Sequence, residues 1–312
     1  MSEEYSGIVG VDVSKSRLDI FFNDESWSIP NVWASISKLA IKLVDLHPKL
    51  IVVESTGGLE HALLTEFSSL GLPVALVNPR RVREFARSIG QLAKTDKVDA
   101  KLLARFGEAV KPEPTKMPTI EEQHLSALMV RRRQVIEMLT MEKNHLNSTH
   151  PVTQDSVTKI MALLQHELDE LNGQIDEYID QFPEFKRKDE ILCSTPGIGK
   201  VTSAILLSDL PELGSIDRKK IASLVGVAPF NNDSGRFRGK RRIKGGRPTV
   251  RTVLYMATIS AIKCNPVIRP YYKHLLDKGK VKKVAIVACM HKMLIYLNSI
   301  IRNSLTPEPV SP

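Results

Sequence analysis

Asp12 interrupts the apolar run Ile8-Val9-Gly10-Val11-Asp12-Val13, where a carboxylate is costly to bury unless it is paired or holds a cation. Glu54 ends a second apolar run, Leu50-Ile51-Val52-Val53-Glu54, just before Ser55-Thr56-Gly57-Gly58. The carboxyl ends of strands are where α/β sheets hold their ligands. Asp96 and Asp99, within Lys94-Thr95-Asp96-Lys97-Val98-Asp99-Ala100, stand three apart at a helix start and so share one face. Four acids on three neighbouring elements are oxygen donors of the kind hard divalent cations take. Two such cations, roughly 3.5–4 Å apart, clamp a phosphodiester during displacement. Each acid also has a plainer reading. Asp12 and Asp19 are then edge or solvent-facing strand residues, and Asp96 and Asp99 cap a helix and complement its dipole. The set favours the metal reading more than any single member does.

A second constellation lies in the last third of the chain. The stretch SGRFRGKRRIKGGRPTVR carries Arg236, Arg238, Lys240, Arg241, Arg242, Lys244, Arg247 and Arg251 with no acid between them. Such a run suits a phosphate backbone, and its glycines let backbone N–H groups approach an anion. The alternative is a solvated charged face or an acidic protein partner. Asp233-Ser234-Gly235 opens the run. Ser234 is either a turn residue or a nucleophile. With no histidine near it in sequence a hydrolase triad is not indicated, yet a hydroxyl amid arginines can attack phosphorus, because guanidinium groups stabilise the charge that develops. Upstream, Thr195-Pro196-Gly197-Ile198-Gly199-Lys200 leads into the apolar start of a helix. It has the form of a helix-hairpin-helix element, whose turn (Gly197, Gly199, Lys200) offers amides to a phosphate. A nucleotide P-loop needs four residues between its glycines and here there is one; an ordinary interhelical turn is the other reading.

The elements that must position these residues follow from periodicity. Ile8–Val13 and Leu18–Phe22 read as a strand hairpin around Ser14-Lys15-Ser16, and a third strand is predicted near 26–29. A helix over 33–46, the strand 50–54, a helix over 59–70, the strand 73–78 and helices at 79–90 and 97–109 complete an α/β layered domain with a mixed sheet. Lys111-Pro112-Glu113-Pro114 reads as a linker, since two prolines so close cannot continue a helix. From 119 to 181 the pattern is long and helical, with Leu164, Leu168, Leu171, Ile175, Tyr178 and Ile179 spaced by three or four and a break near His150-Pro151. Such a helical hairpin packs on the rest of the chain or pairs with a second protomer as a coiled coil. The remainder is predicted to be basic and mostly helical. The expected organisation is α/β plus all-α, in three regions: 1–110, 111–182 and 183–312.

Composition bounds the function. The 312 residues carry a net charge of +9, and it is unevenly spread: −1 over 1–110, −5 over 111–182 and +15 over 183–312. Three scattered cysteines, Cys193, Cys264 and Cys289, lack the spacing of a zinc site or a disulfide framework. The start MSEEYSGIVG lacks the basic flank and apolar core of a secretory signal, and no window reaches about 18 uninterrupted apolar residues. A cytoplasmic protein outside the membrane is expected.

Taken together, Gly10-Val11-Asp12-Val13-Ser14-Lys15, Glu54-Ser55-Thr56-Gly57-Gly58, Asn78-Pro79-Arg80, Lys94 to Ala100, Pro196-Gly197-Ile198-Gly199, and Gly226-Val227-Ala228-Pro229 followed by Asp233-Ser234-Gly235 resemble the IS110 family of DNA transposases, including its IS1111 branch, in order and over nearly the whole chain. The resemblance implies an RNase H-like (RuvC-like) domain whose Asp-Glu-Asp-Asp acids, falling on Asp12, Glu54, Asp96 and Asp99, bind Mg²⁺, for which Mn²⁺ can substitute. It implies a C-terminal domain with a nucleophilic serine, falling on Ser234, that forms a covalent phosphoserine link to DNA. It further implies a composite centre built from different protomers of a dimer or tetramer, a noncoding bridge RNA that pairs with donor and target DNA, and a nucleoid-associated location. Phe230-Asn231-Asn232 departs from the basic residue common before the position of Asp233.

Rival readings are a metal-dependent nuclease without serine chemistry, a sugar kinase of the actin-like type, and a non-catalytic nucleic-acid-binding protein. The kinase would need a second ATPase half and a glycine-rich phosphate turn where Ser14-Lys15-Ser16 stands. The binding protein leaves four acids unexplained. A site-specific DNA recombinase is expected, with Arg236, Arg238, Lys240, Arg241, Arg242, Lys244 and Arg247 as phosphate contacts.

Overall fold

The computed structural model describes residues 7–91, 96–115, 118–230, 233–234, 237–238 and 242–305; the side chains of residues 96–98, 233, 234, 237, 238 and 305 lie outside that description. The chain divides into two compact units, Met1–Met117 and Pro118–Pro312.

The first unit is ordered β1 (Ile8–Val13), β2 (Arg17–Phe22), β3 (Glu25–Pro30), α1 (Trp33–Leu46), β4 (Leu50–Glu54), α2 (His61–Ser69), β5 (Val74–Val77), α3 (Pro79–Ser88) and α4 (Asp96–Val110). Its five strands lie in the order β3-β2-β1-β4-β5. The first three are antiparallel neighbours, and β4 and β5 run parallel to β1. Local chemistry closes both hairpins. The Ser14 hydroxyl accepts from Arg17 N at 3.2 Å, and Asn23 and Asp24 take positive φ at the β2–β3 turn, a conformation short polar side chains tolerate.

The period of two along the strands divides the core into two layers. Val9, Val11, Val13, Ile51 and Val53 pack against Ile36, Leu39, Leu43 of α1 and Leu63, Phe67 of α2. On the other face Leu50, Val52, Ala75 and Val77 pack against Val82 of α3 and Leu102, Leu103, Phe106 of α4. Burying each of these large side chains contributes about 1.5–3 kcal/mol. Beyond α4, Thr115 N donates to Val74 O at 2.7 Å and its hydroxyl accepts from Leu76 N at 2.8 Å, which covers the open edge of β5.

The second unit begins with two long helices, α5 (Ile120–Ser148) and α6 (Pro151–Gln181). Thr119 and Glu122 form a capping box at the start of α5. The break falls at Thr149-His150, where Pro151 opens α6 and His150 Nδ1 accepts from Val152 N at 3.3 Å. The predicted apolar stripe is used at its C-terminal end: Leu171, Ile175 and Ile179 are buried. There follow α7 (Pro183–Cys193), α8 (Lys200–Asp209), α9 (Arg218–Val225), β6 (Pro229–Phe230), β7 (Asp233–Ser234), β8 (Phe237–Arg238), β9 (Arg242–Ile243), α10 (Pro248–Cys264), α11 (Ile268–Asp277) and α12 (Lys282–Leu305). Leu125, Met129, Ile175 and Ile179 of the helical hairpin share one core with Leu206, Leu254, Leu294 and Leu297. The hairpin base is therefore continuous with the C-terminal region, whereas sequence reading gave it a region of its own.

Among the described residues α12 is the one helix long and apolar enough to cross a membrane, over Lys282–Ser304. Its Met290, Met293, Leu294, Leu297 and Ile301 lie in the core of the second unit, and its buried Asn298 accepts from Gly214 N at 2.7 Å while donating to Ile216 O at 3.0 Å.

Candidate active site

β1 and β4 carry the first two acids to the same face. Gly10 and Val52 are partners in the parallel register, as are Val11 and Val53. Two residues beyond Gly10 and Val52, Asp12 and Glu54 therefore stand side by side on strands about 4.8 Å apart. Both are half-buried, and each has an interaction partner. Helix α4 crosses this face in close contact. A Cβ on Gly10 would overlap the Ala100 carbonyl oxygen and lie 2.7 Å from Ala104 N, and one on Gly107 would lie 2.7 Å from Ile8 Cγ2 and 2.8 Å from Val52 Cγ2. With Gly107 over Ile8 and Ala100 over Gly10, α4 runs opposite to β1 and its first turn, Asp96 to Asp99, lies toward the Asp12 end. Asp99 is half-buried. Asp96 is the first residue of α4, with its side chain outside the described residues.

Among the described residues no three acids form a ready metal-holding group. The donor set nevertheless fits a hard divalent cation in kind: every candidate is a carboxylate, and the missing side chain at Gly10 lets α4 approach the strand that holds Asp12.

In the second unit, which was expected to be mostly helical, the described residues around the basic run form two short antiparallel strand pairs, a small β-ribbon. Pro229 pairs with Ile243 and Phe230 with Arg242; inside them Asp233 pairs with Arg238 and Ser234 with Phe237. Ser234 thus sits in the inner pair, away from the root. The root is fixed by backbone packing, since a Cβ on Gly226 would overlap Gly245 O, and Gly226 and Gly246 both have φ near +80°, at 78° and 79°. Arg247 locks it from the other side. Its two terminal nitrogens donate to the two oxygens of Glu212, each at 2.6 Å, and one also to Asp209 O at 2.9 Å. This bidentate fork gives Arg247 a structural task. Arg242 and Lys244 are exposed. Arg236, Lys240 and Arg241 lie outside the described residues, as does the side chain of Arg238.

The turn between α7 and α8 spans residues 194–199. Gly199 caps α8, and Asn265 Nδ2 donates to Pro196 O at 3.0 Å. Gly197 has a packing reason as well, since a Cβ there would lie 2.7 Å from that of Ala261 on α10. Lys200 is exposed and donates to Asp176 at 3.2 Å; that hydrogen bond raises its pKa first, with the charge of Asp176 adding to it.

Comparison with known proteins brings the two halves together. A family model for the DEDD transposase domain of IS110 elements, described as "Transposase", matches residues 9–150, a span that includes Asp12, Glu54, Asp96 and Asp99. A second, described as "Transposase IS116/IS110/IS902 family", matches residues 189–273, the span of Gly197, Ser234 and the ribbon. The chain belongs to the IS110 family of transposases. This transposase is 29% identical to the pilin gene-inverting proteins of Moraxella lacunata and Moraxella bovis, over 97% of each chain. It is 22% identical to the transposase for insertion sequence element IS1111A of Coxiella burnetii, over 73% of this chain and 70% of the other. It is a DNA-acting enzyme.

Two acids of the transposase's first unit gain roles that their sequence context hides. Asp19, open to an edge or solvent-facing reading, is buried at 4% exposure. It is the cross-strand partner of Asp12, accepts from Arg17 Nε at 3.0 Å, and receives the Ser28 hydroxyl as well. Glu60, which sequence reading passed over inside a predicted helix, is also 4% exposed. It accepts from Thr56 Oγ1 at 2.6 Å, Gly58 N at 2.9 Å and Ser55 Oγ at 3.3 Å. Burial raises the pKa of its carboxyl, but the Thr56 hydroxyl and the backbone N–H groups of Glu60, Gly58 and Thr56 outweigh burial and hold it below the ordinary glutamate range. The signal available was an acid two residues past Ser-Thr-Gly-Gly, a run rich in donors that a nearby acceptor can satisfy.

Proposed function

We propose that this IS110-family transposase is a site-specific DNA recombinase that joins an acid-held metal site to a serine nucleophile. The observation that carries this reading is the placement of Asp12 and Glu54 on one sheet face beneath the start of α4. An RNase H-like (RuvC-like) assignment for the unit rests on that placement and on the strand order with β1 central. Asp12, Glu54, Asp96 and Asp99 would hold Mg²⁺, or Mn²⁺ in its place, and the bound cation supplies charge stabilisation at a phosphodiester.

The protein's own groups do the rest. Ser234 Oγ attacks a DNA phosphorus; the new Oγ–P bond forms as a P–O bond to deoxyribose breaks, the serine loses its proton and the leaving oxygen gains one. The phosphoserine link conserves the phosphodiester energy, so the exchanged strand can displace serine without hydrolysis. Arg238, Arg242 and Lys244, with Arg236, Lys240 and Arg241, hold the phosphate backbone, and the α7–α8 turn at Gly197, Gly199 and Lys200 adds a second contact. The names of the relatives, a gene inverter and an insertion-sequence transposase, support DNA inversion or transposition as the reaction. A bridge RNA selects donor and target. A dimer or tetramer, acting on DNA at the cytoplasmic nucleoid, assembles the composite centre through the α5–α6 hairpin, whose Val152 and Leu163 are 82% and 68% exposed.

The test is strand exchange on a supercoiled plasmid carrying element ends, with the element's RNA and Mg²⁺. Exchange by wild type that is lost in Ser234→Ala and in chelator supports the reading. Metal-dependent cleavage by Ser234→Ala at the wild-type rate would make the chain a nuclease instead.

A further inference from the structure

We propose that Glu60 is a positioning residue of the acid site: its buried carboxylate fixes the loop that follows Glu54 and so fixes where Glu54 stands. The inference rests on the reading of Glu54 as a metal ligand.

Glu54 is the last residue of β4. The next residue still belongs to the sheet, since Ser55 N donates to Val77 O at 3.0 Å. The chain then leaves through Gly57 and Gly58, with φ of 83° and 129°, a region that side-chain-bearing residues rarely enter. No atom lies within 4 Å of a Cβ placed on Gly57, so packing at that point does not hold the loop. Two adjacent glycines, with only the His61 ring 3.5 Å from a Cβ placed on Gly58, leave a segment free to take many shapes, and its first residue is bonded to Glu54.

The Glu60 carboxylate removes that freedom. It gathers donors from three residues ahead of it, the hydroxyls of Ser55 and Thr56 and the N–H of Gly58. Although Glu60 occupies the N-cap position of α2, its side chain makes no capping bond there. The carboxylate is thus engaged by the loop and not by the helix. A carboxylate suits this task because it only accepts, through two oxygens. Glutamine would turn an N–H₂ group toward donors. Groups that orient metal ligands from behind influence affinity by about 10–100-fold.

The experiment uses the full-length protein without nucleic acid and titrates Mn²⁺, following the free ion by electron paramagnetic resonance. Glu54→Gln, Glu60→Gln and Thr56→Val are compared with wild type, with amide exchange of residues 55–58 and thermal unfolding measured alongside. The expected result is Mn²⁺ affinity lowered about tenfold or more in Glu60→Gln, less in Thr56→Val and most in Glu54→Gln, with faster exchange in the loop. Thr56→Val removes a single donor and keeps the comparison sound if Glu60→Gln folds poorly. Loss of affinity in Glu54→Gln alone, with the other two variants binding as wild type, overturns the role of Glu60 while leaving that of Glu54. Wild-type affinity in all three overturns both.

Discussion

Gly10 on β1 and Ala100 on α4 are in backbone contact, so close that a methyl group on Gly10 would overlap the Ala100 carbonyl oxygen. This contact lets the start of α4, with Asp96 and Asp99, lie over the strand that carries Asp12. Gly10→Ala is expected to lower stability by about 3 kcal/mol or more, beyond the usual cost of overpacking, because the obstacle is backbone and not a movable side chain. Gly107→Ala, which meets only the methyl groups of Ile8 and Val52, should cost about 1–2 kcal/mol. Urea unfolding of the two variants checks the order.

The depressed carboxyl of Glu60 predicts a pH signature. A group whose folded pKa is lowered contributes stability that is present above the unfolded pKa and fades as pH falls through the folded value. Wild type should therefore exceed Glu60→Gln in stability at neutral pH, and the gap should narrow in acid below the ordinary glutamate range. Denaturation midpoints measured across that range check it; parallel profiles would contradict it.

Arg247 and Arg242 belong to one basic run but should behave differently. Arg247 is held by Glu212 at 2.6 Å with about a third of its side chain exposed (34%), so Arg247→Ala should cost about 1–2 kcal/mol, discounted for solvent. The salt dependence of DNA binding should stay as in wild type. Arg242→Ala should leave stability unchanged and lower the slope of log affinity against log salt by about one. Binding isotherms at several salt concentrations separate the two.

Asp12→Asn and Glu54→Gln each remove a negative oxygen from the acid face. Strand exchange should fall at least about 100-fold in either variant, while DNA affinity should stay near wild type. An exchange rate within a few-fold of wild type would remove that residue from the site.

Much of the first unit was legible because its strands and helices are long enough to display a period. The alternation in Ile8–Val13 and the apolar spacing of α1 each mark one buried face, and the order of elements then brings Asp12 and Glu54 to neighbouring strand ends. The ribbon around Ser234 was not legible. Its strands are two residues long, too short for alternation, and their pairing depends on the remote contact of Gly226 with Gly245 and Gly246. Arg247 looked like its basic neighbours because Glu212, its partner, lies 35 residues away. Glu60 looked like a helix residue because the donors it collects come from the preceding loop. For the ribbon and Arg247 the missing information was a tertiary contact, which composition and spacing do not carry; for Glu60 the contacts are local, and the signal was the donor-rich run just before it.

Peptide mass spectrometry of the protein–DNA complex tests the serine chemistry at Ser234. Labelled element-end DNA, Mg²⁺ and the element's RNA are incubated with wild type and with Ser234→Ala, and the products are denatured and digested. A nucleotide-bearing peptide whose phosphate is on Ser234 is expected, absent from the variant and from chelator-treated samples. Free 5′-phosphate or 3′-hydroxyl ends formed equally by the variant, with no adduct in either protein, would contradict it.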